Sequence, residues 1–262
     1  MSEVKVYLQH VRMNFLAGLQ YKGWPIMVLQ VILVVICDPI SLFFLFSRFG
    51  SIGDWSVERI VLIYAMAVTS FGLAETFFRG FDYFPWKMIQ TGDFDRVLLR
   101  PRSSVTLVAA SYFHIHRISR VFGGSCFIIW ALVRQGFRPT LLNVFTLLQG
   151  LAGGLCVYAG VFIMTSGIAF FTVKALDWIF IFTNASYQVT RCPINHMPRL
   201  LRHMFTFFMP VLVVSYYPAS TACGWGGGYA RAFLALPAGL LFLLFSIVVW
   251  RFGVRHYKST GS

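Results

Sequence analysis

Acidic residues are scarce in this chain: nine Asp and Glu stand against 22 Lys and Arg in 262 residues. Charge of either sign is thin, at 12% of the whole, and apolar residues reach 58%, which together exclude an ordinary soluble domain. Signatures of nucleotide and metal chemistry are missing too. No glycine precedes Lys-Ser or Lys-Thr in the phosphate-loop pattern, so any process here that needs ATP must have it hydrolysed by another chain. HExxH and GxSxG do not occur. The five cysteines (Cys37, Cys126, Cys156, Cys192, Cys223) lack CxxC or CxxH spacing, which removes the usual zinc frameworks. Most of them fall within apolar runs, as small core residues do. Cys192 and Cys223 fall on one side in the topology below, where a disulfide stays open. His114 and His116 are the only close histidine pair, and on a helix their side chains diverge by about 200°, which argues against a shared metal. Short segments of alternating polarity, the mark of a transmembrane barrel, are also absent.

What the chain does have is a series of apolar runs near the roughly 20 residues that span a bilayer. The fold expected is an all-α integral membrane protein, one transmembrane domain over residues 1–262. It has six transmembrane helices, an N-terminal amphipathic interfacial helix and a re-entrant outer helical element before the last span. In residues 1–23, Val4, Tyr7, Leu8, Val11, Phe15, Leu16 and Leu19 recur at helical spacing among Lys5, Arg12 and Lys22. Such a helix lies in the headgroup plane. Spans are expected at about 24–46, 59–78, 114–133, 141–172, a short run from Trp178, and 229–252. The third is the apolar second half of one helical stretch, 105–133. Within the fourth, Ala152, Cys156 and Gly160 recur every four residues and predict a close-packing face. Residues 191–225 carry Pro193, Pro198, Pro210 and Pro218 in an otherwise apolar sequence, which predicts a broken helical pair buried against protein.

Orientation follows from charge. Segments assigned to the inner side hold 14 of the 22 Lys and Arg, so both termini are expected in the cytoplasm. Trp24, Trp86, Trp178 and Trp250 fall at inner span ends and Trp55, Trp130 and Trp225 at outer ones, where indole rings are favoured. The net charge of +13 is read as topological, and no nucleic-acid partner is expected.

Residues 80–104, GFDYFPWKMIQTGDFDRVLLRPRSS, are the longest polar interruption, and lipid would leave their backbone and charges unsatisfied. Asp93 and Asp95 suit a helix start. Phe94, Val97, Leu98 and Leu99 offer an apolar surface, Arg96, Arg100 and Arg102 offer charge, and Pro101 ends the helix. The bland alternative is a solvated loop. Nearer the bilayer, Glu75 and Arg79 share a helix face, and Arg117 and Arg120 lie at the inner boundary where long side chains snorkel. Intramembrane ion pairing among Glu75, Arg79, Arg117 and Arg120 is expected, with recognition of an anionic headgroup as the sharper reading of the same residues. Asp38 reads as an outer-end residue rather than a proton relay.

The run Gly92-Asp93-Phe94-Asp95-Arg96-Val97-Leu98-Leu99-Arg100-Pro101, with the proline spacing of 191–225 and the six-span layout, resembles the ABC-2-type transporter permeases, in their branch of roughly 260-residue uncharacterised components. The likeness covers nearly the whole chain; the basic outer stretch from Arg191 to His203 departs from it. The resemblance implies a multi-pass subunit of the inner cell membrane that pairs with a second permease, itself or a homologue, largely through the first and fifth spans. It also implies two separate ABC-type ATPase subunits that bind the ATP and magnesium. This chain then carries no cofactor, no metal and no catalytic residue. Gly92, Asp93, Phe94, Asp95, Arg96, Leu98, Leu99, Arg100 and Pro101 would form the ATPase-coupling element, and membrane lipid surrounds the rest. The sequence holds no substrate signature.

A competing class is a membrane-embedded enzyme acting on lipids with Asp93, Asp95, His114 and His116 at the inner face, since acid and imidazole side by side suit proton transfer. No nucleophile or metal set accompanies them. A passive channel would need a span with a repeated polar face, and none is present.

Overall fold

The computed structural model describes residues 3–20, 22–49, 55–113, 115–172, 184–226 and 228–257. Their regular elements are all helical. In chain order they are α1 (Glu3–Gln20), α2 (Trp24–Phe49), α3 (Val57–Phe84), α4 (Phe94–Leu98), α5 (Ser104–Ala110), α6 (Ile118–Arg134) and α7 (Leu141–Thr172). After these come a helical stretch at 184–189 (α8), then α9 (Arg199–His203), α10 (Val211–Ala222), α11 (Tyr229–Ala232) and α12 (Ala235–His256). Two of them continue into a wide turn: α3 through Pro85–Ile89, closed by Gln90 N–H donating to the Pro85 carbonyl at 3.1 Å, and α9 through Met204–Phe208. Pro85 fits the start of its turn because a proline needs no N–H there.

Four stretches among the described residues are long and apolar enough to cross a bilayer: Trp24–Arg48, Val57–Ile89, Leu141–Thr172 and Tyr229–His256. The pair Arg199–Phe208 and Val211–Ala222 passes the same test together, bent by 94°. The expected third span differs. Residues 105–133 are not one helix, because α5 stops at Ala110 and α6 begins at Ile118. α6, 17 residues, and the 3-10 turn Ile115–Arg117 that runs into it together extend about 31 Å, close to the roughly 30 Å hydrocarbon core. The helix break frees Asn14 of α1 to donate to the carbonyls of Ala110 and Ser111 at 2.9 and 3.3 Å, so tertiary bonds replace the lost helical ones. The expected fifth span, with Lys174, Asp177 and Trp178, lies outside the described residues at its start. The last span begins with a separate turn, α11, before α12.

At the centre, α3 is the most enclosed helix, nearly all of its length from Ile60 to Ala74 being buried. It runs antiparallel to α6 and parallel to α7. Gly124 of α6 abuts Thr69, while Gly150 and Gly154 of α7 abut Met66 and Ser70. The tightest seam joins α7 to α12, which run parallel. Gly153, Gly160 and Gly167 recur every seventh residue and meet Gly239, Ser246 and Gly253, which do the same. A Cβ on Gly153 would stand 2.5 Å from the Ala235 carbonyl oxygen, and one on Gly239 would stand 2.3 Å from that of Gly153. Backbone contact this close suits helices in lipid, where packing rather than water exclusion drives association. The close-packing face therefore contains Gly160 as expected, but not Ala152, which is exposed, or Cys156, which is half-buried. A seven-residue period keeps one seam facing a parallel partner over several turns, whereas four-residue steps drift off it.

By contrast α2 leans on the bundle through Val31, Val35, Leu42 and Phe46 and leaves Ile26, Leu29, Leu33 and Phe44 exposed. α12 is likewise exposed at Leu241, Leu244, Phe245 and Val248. Apolar exposure on that scale is what a lipid or partner-helix surface requires. α1 turns Tyr7, Asn14 and Phe15 toward α3 and α5, the Tyr7 hydroxyl donating to the Phe77 carbonyl at 2.8 Å. Its Leu8, Met13, Leu16 and Leu19 face outward.

Candidate functional site

The segment 80–104 is built from turns. Its entry, Gly80, meets α5 so closely that a Cβ would fall 1.8 Å from the Val108 carbonyl oxygen. After the wide turn, Thr91 donates to the Lys87 carbonyl at 2.9 Å. Gly92 then adopts φ +73°, a left-handed conformation that suits glycine above other residues. That reversal aims α4. Asp93 occupies the position before the helix without bonding its amides; its carboxylate pairs with Arg96 at 3.1 Å and lies 3.1 Å from the Thr91 hydroxyl. Asp95 sits in the first turn, where a negative charge is favoured.

The apolar surface expected from Phe94, Val97, Leu98 and Leu99 divides in two. Phe94 is wholly buried and Val97 packs against the same core. Leu98 is 44% exposed and Leu99 85%, with Arg96, Arg100, Pro101 and Arg102 exposed around them. Phe94 enters an aromatic cluster: its ring centroid lies 5.0 Å from that of Phe84 (α3), 5.3 Å from Phe170 (α7), 6.1 Å from Trp250 (α12) and 5.1 Å from Tyr257. Edge-to-face geometry of this kind adds roughly 0.5–1.5 kcal/mol per pair beyond area burial. Trp250 also donates from Nε1 to the Ser104 hydroxyl at 3.3 Å, tying the far end of the segment to α12. Trp250, expected at an inner span end, is thus a buried hub of this cluster. Asp93 reaches beyond its own turn as well. Burial, followed by the negative charge of Asp93, pushes the Tyr112 phenol above its usual pKa.

One turn deeper lies a charged cluster. Glu75, 2% exposed, accepts from three arginines: Arg79 at 2.7 Å, Arg117 at 3.2 Å and Arg120 at 2.8 Å. Arg79 also pairs with Asp82 at 3.0 Å. All four residues anticipated as an ion-pairing group are thus brought together, and Asp82 is the member that sequence reasoning missed. Its signal was available, three residues after Arg79 on the same helix. Aromatic faces support the guanidinium groups, with Arg120 5.0 Å above Phe71 and Arg79 5.4 Å above Tyr83.

A second group was missed as a group. Asp38 of α2 accepts from Arg191 and from the Tyr64 hydroxyl, with Arg191 stacked 4.8 Å above the Tyr64 ring. Tyr64, Phe71 and Glu75 fall on one face of α3, and Tyr187 of α8 stacks on Phe71 at 5.2 Å and approaches Tyr64 at 6.5 Å. A line of buried polar and aromatic side chains therefore runs down α3 between the two ion clusters.

Among the described residues no group of three His, Cys, Asp or Glu is placed to hold a metal. Asp93 is engaged by Arg96 and Thr91, and His114 lies outside the described residues. All five cysteines are free, so Cys192 and Cys223 are not bridged.

The profile of a family described as "ABC-2 family transporter protein" matches residues 32–261. No curated protein matches the chain, and neither does any solved structure.

Proposed function

Because the chain belongs to the ABC-2 family of membrane transport proteins, we propose that it is the transmembrane subunit of an ATP-driven exporter. It works as a dimer with itself or a homologue, and separate ABC-type subunits bind and hydrolyse the ATP. Six spans per chain, both termini in the cytoplasm and a re-entrant outer element formed by α9 and α10 complete the reading. The Phe94 end then faces the cytoplasm of an inner-membrane protein.

The observation that carries this reading is the split of α4. One side of a five-residue helix is held by Phe94 where α3, α7 and α12 converge, and the other presents Leu98 and Leu99 among arginines to solvent. An apolar tip ringed by charge suits docking to a cleft. A rigid aromatic root suits passing a rotation of the partner to three spans at once. Closure of the ATPases on ATP would push α4, and through Phe84, Phe170 and Trp250 it would tilt α3, α7 and α12 together. The glycine seam would make α7 and α12 move as one body.

Copurification tests the proposal. A tagged chain extracted in mild detergent should bring down a soluble ATPase in equal molar amount, and that ATPase should hydrolyse ATP faster with the permease than alone. Purification of the chain by itself, with no ATPase recovered from its native membrane, would remove the reading.

A further inference from the structure

The Glu75 cluster is not balanced. Three guanidinium groups, from Arg79, Arg117 and Arg120, face the carboxylates of Glu75 and Asp82, leaving one formal positive charge in excess. Counting from Val57, where the bilayer-length stretch begins, Glu75 lies about 27 Å along the helix and Arg79 about 33 Å. The cluster therefore sits at the far edge of a roughly 30 Å hydrocarbon layer. Uncompensated charge there is costly, and arginine at such depth ordinarily finds an anion or water. The Nε groups of Arg79 and Arg117 are buried with no hydrogen-bond partner among the described residues, and the Arg79 side chain is only 8% exposed. Arg117 is the most open of the three, at 20%. Next to it on α6, Ile118 and Phe122 are exposed and apolar, a track suited to an acyl chain.

We infer that the Arg79, Arg117 and Arg120 cluster is an anion site that takes a phosphate group, carried by a lipid-like amphiphile whose tail lies along α6 or present as the free ion. Glu75 holds the three arginines together, and the bound phosphate supplies the missing negative charge from the Arg117 side, where the cluster is most open. Arginine suits this role because its fork of donors matches phosphate oxygens. Where that phosphate belongs to cargo, the inference rests on the transporter reading above. Binding itself does not.

The test uses the full chain in nanodiscs of digalactosyldiacylglycerol, a neutral bilayer lipid without phosphate, and without ATPase, so its outcome is independent of the copurification experiment. Thermal unfolding is followed with and without phosphatidylglycerol, and in a separate arm with inorganic phosphate. Phosphatidylglycerol is expected to raise the unfolding midpoint of the wild type by several degrees. Arg117→Gln, which balances the charge, is expected to unfold no earlier than wild type in neutral lipid and to lose that response. Arg117→Lys, which keeps the charge, retains part of it. A response to lipid and not to inorganic phosphate assigns the site to a headgroup, and a response to both assigns it to phosphate as such. Equal responses in wild type and Arg117→Gln would overturn the inference, as would a wild type indifferent to both anions. Should Arg117→Gln fail to fold, the wild-type and Arg117→Lys responses decide alone.

Discussion

Phe94 stands edge-on to Phe84, ring centroids 5.0 Å apart and planes at 89°, so the first turn of α4 is pinned to the last turn of α3. This contact lies between a solvent-exposed helix and the most enclosed helix of the bundle. Phe94→Ala should therefore open a cavity costing about 3–5 kcal/mol locally. The expected outcome is separation of docking from transmission. The variant still pulls down the ATPase, because Leu98 and Leu99 remain, but the permease no longer stimulates ATP hydrolysis. Hydrolysis rates of the copurified complex check it, and undiminished stimulation would count against Phe94 as the transmitting contact.

The opposite behaviour is expected one turn away. Leu99 is 85% exposed and makes little contribution to the fold, so Leu99→Asp should leave the thermal midpoint unchanged within about 0.5 kcal/mol. A charge buried in an apolar cleft of the partner is costly, so ATPase recovery should fall at least about tenfold. Leu98→Asp should act in the same direction with some loss of stability, since Leu98 is only 44% exposed. Pull-down yields at matched expression measure both.

Glu75→Gln would leave three arginines sharing one remaining carboxylate, Asp82. Removing one partner from a buried ion group costs roughly 3–5 kcal/mol, far more than a surface pair. The variant should unfold at a markedly lower temperature, and Arg117→Gln on the same background should recover part of the loss by removing one of the stranded charges. A double-mutant cycle on detergent-solubilised protein reads the coupling, and strict additivity would show that Glu75 and Arg117 do not interact.

Asp38 and Arg191 connect the loosely held α2 to the loop after α8, with Tyr64 bonded to the same carboxylate. Asp38→Asn and Arg191→Gln should show a favourable coupling of about 1–3 kcal/mol in unfolding cycles. Cysteine crosslinking between α2 and α3 should become less efficient in either variant, because α2 has few other buried side chains to hold it.

Gly239→Val places a Cβ 2.3 Å from the Gly153 carbonyl oxygen, which backbone cannot relieve by rotamer change. The α7 and α12 seam should part, lowering the yield of folded protein. Ala152→Val, on an exposed position of α7, should be tolerated. Size-exclusion profiles of the two variants distinguish them.

Much of this molecule was legible before any coordinates. Apolar run length locates α2, α3, α7 and α12, because a bilayer crossing needs a set number of residues whatever the neighbours. The charge spacing of Glu75 and Arg79 announces a pair, since residues four apart on a helix must adjoin. Periodicity likewise marks α1 as amphipathic. Composition also singles out residues 80–104 as the segment lipid cannot accept.

Tertiary structure decided which way those residues face. Nothing in the run Phe94, Val97, Leu98, Leu99 says which side chain turns inward, because a five-residue helix has no periodicity long enough to define a face. Only the convergence of Phe84, Phe170 and Trp250, residues from three distant parts of the chain, selects Phe94. The glycine seam followed the same logic. Small residues recur on several faces of α7, and only the partner α12, with its own seven-residue repeat, picks Gly153, Gly160 and Gly167. The Arg191 to Asp38 bond spans residues far apart in sequence, and no local rule couples them. Local chemistry is written along the chain, whereas pairing between distant segments depends on the packing that brings them within ångströms.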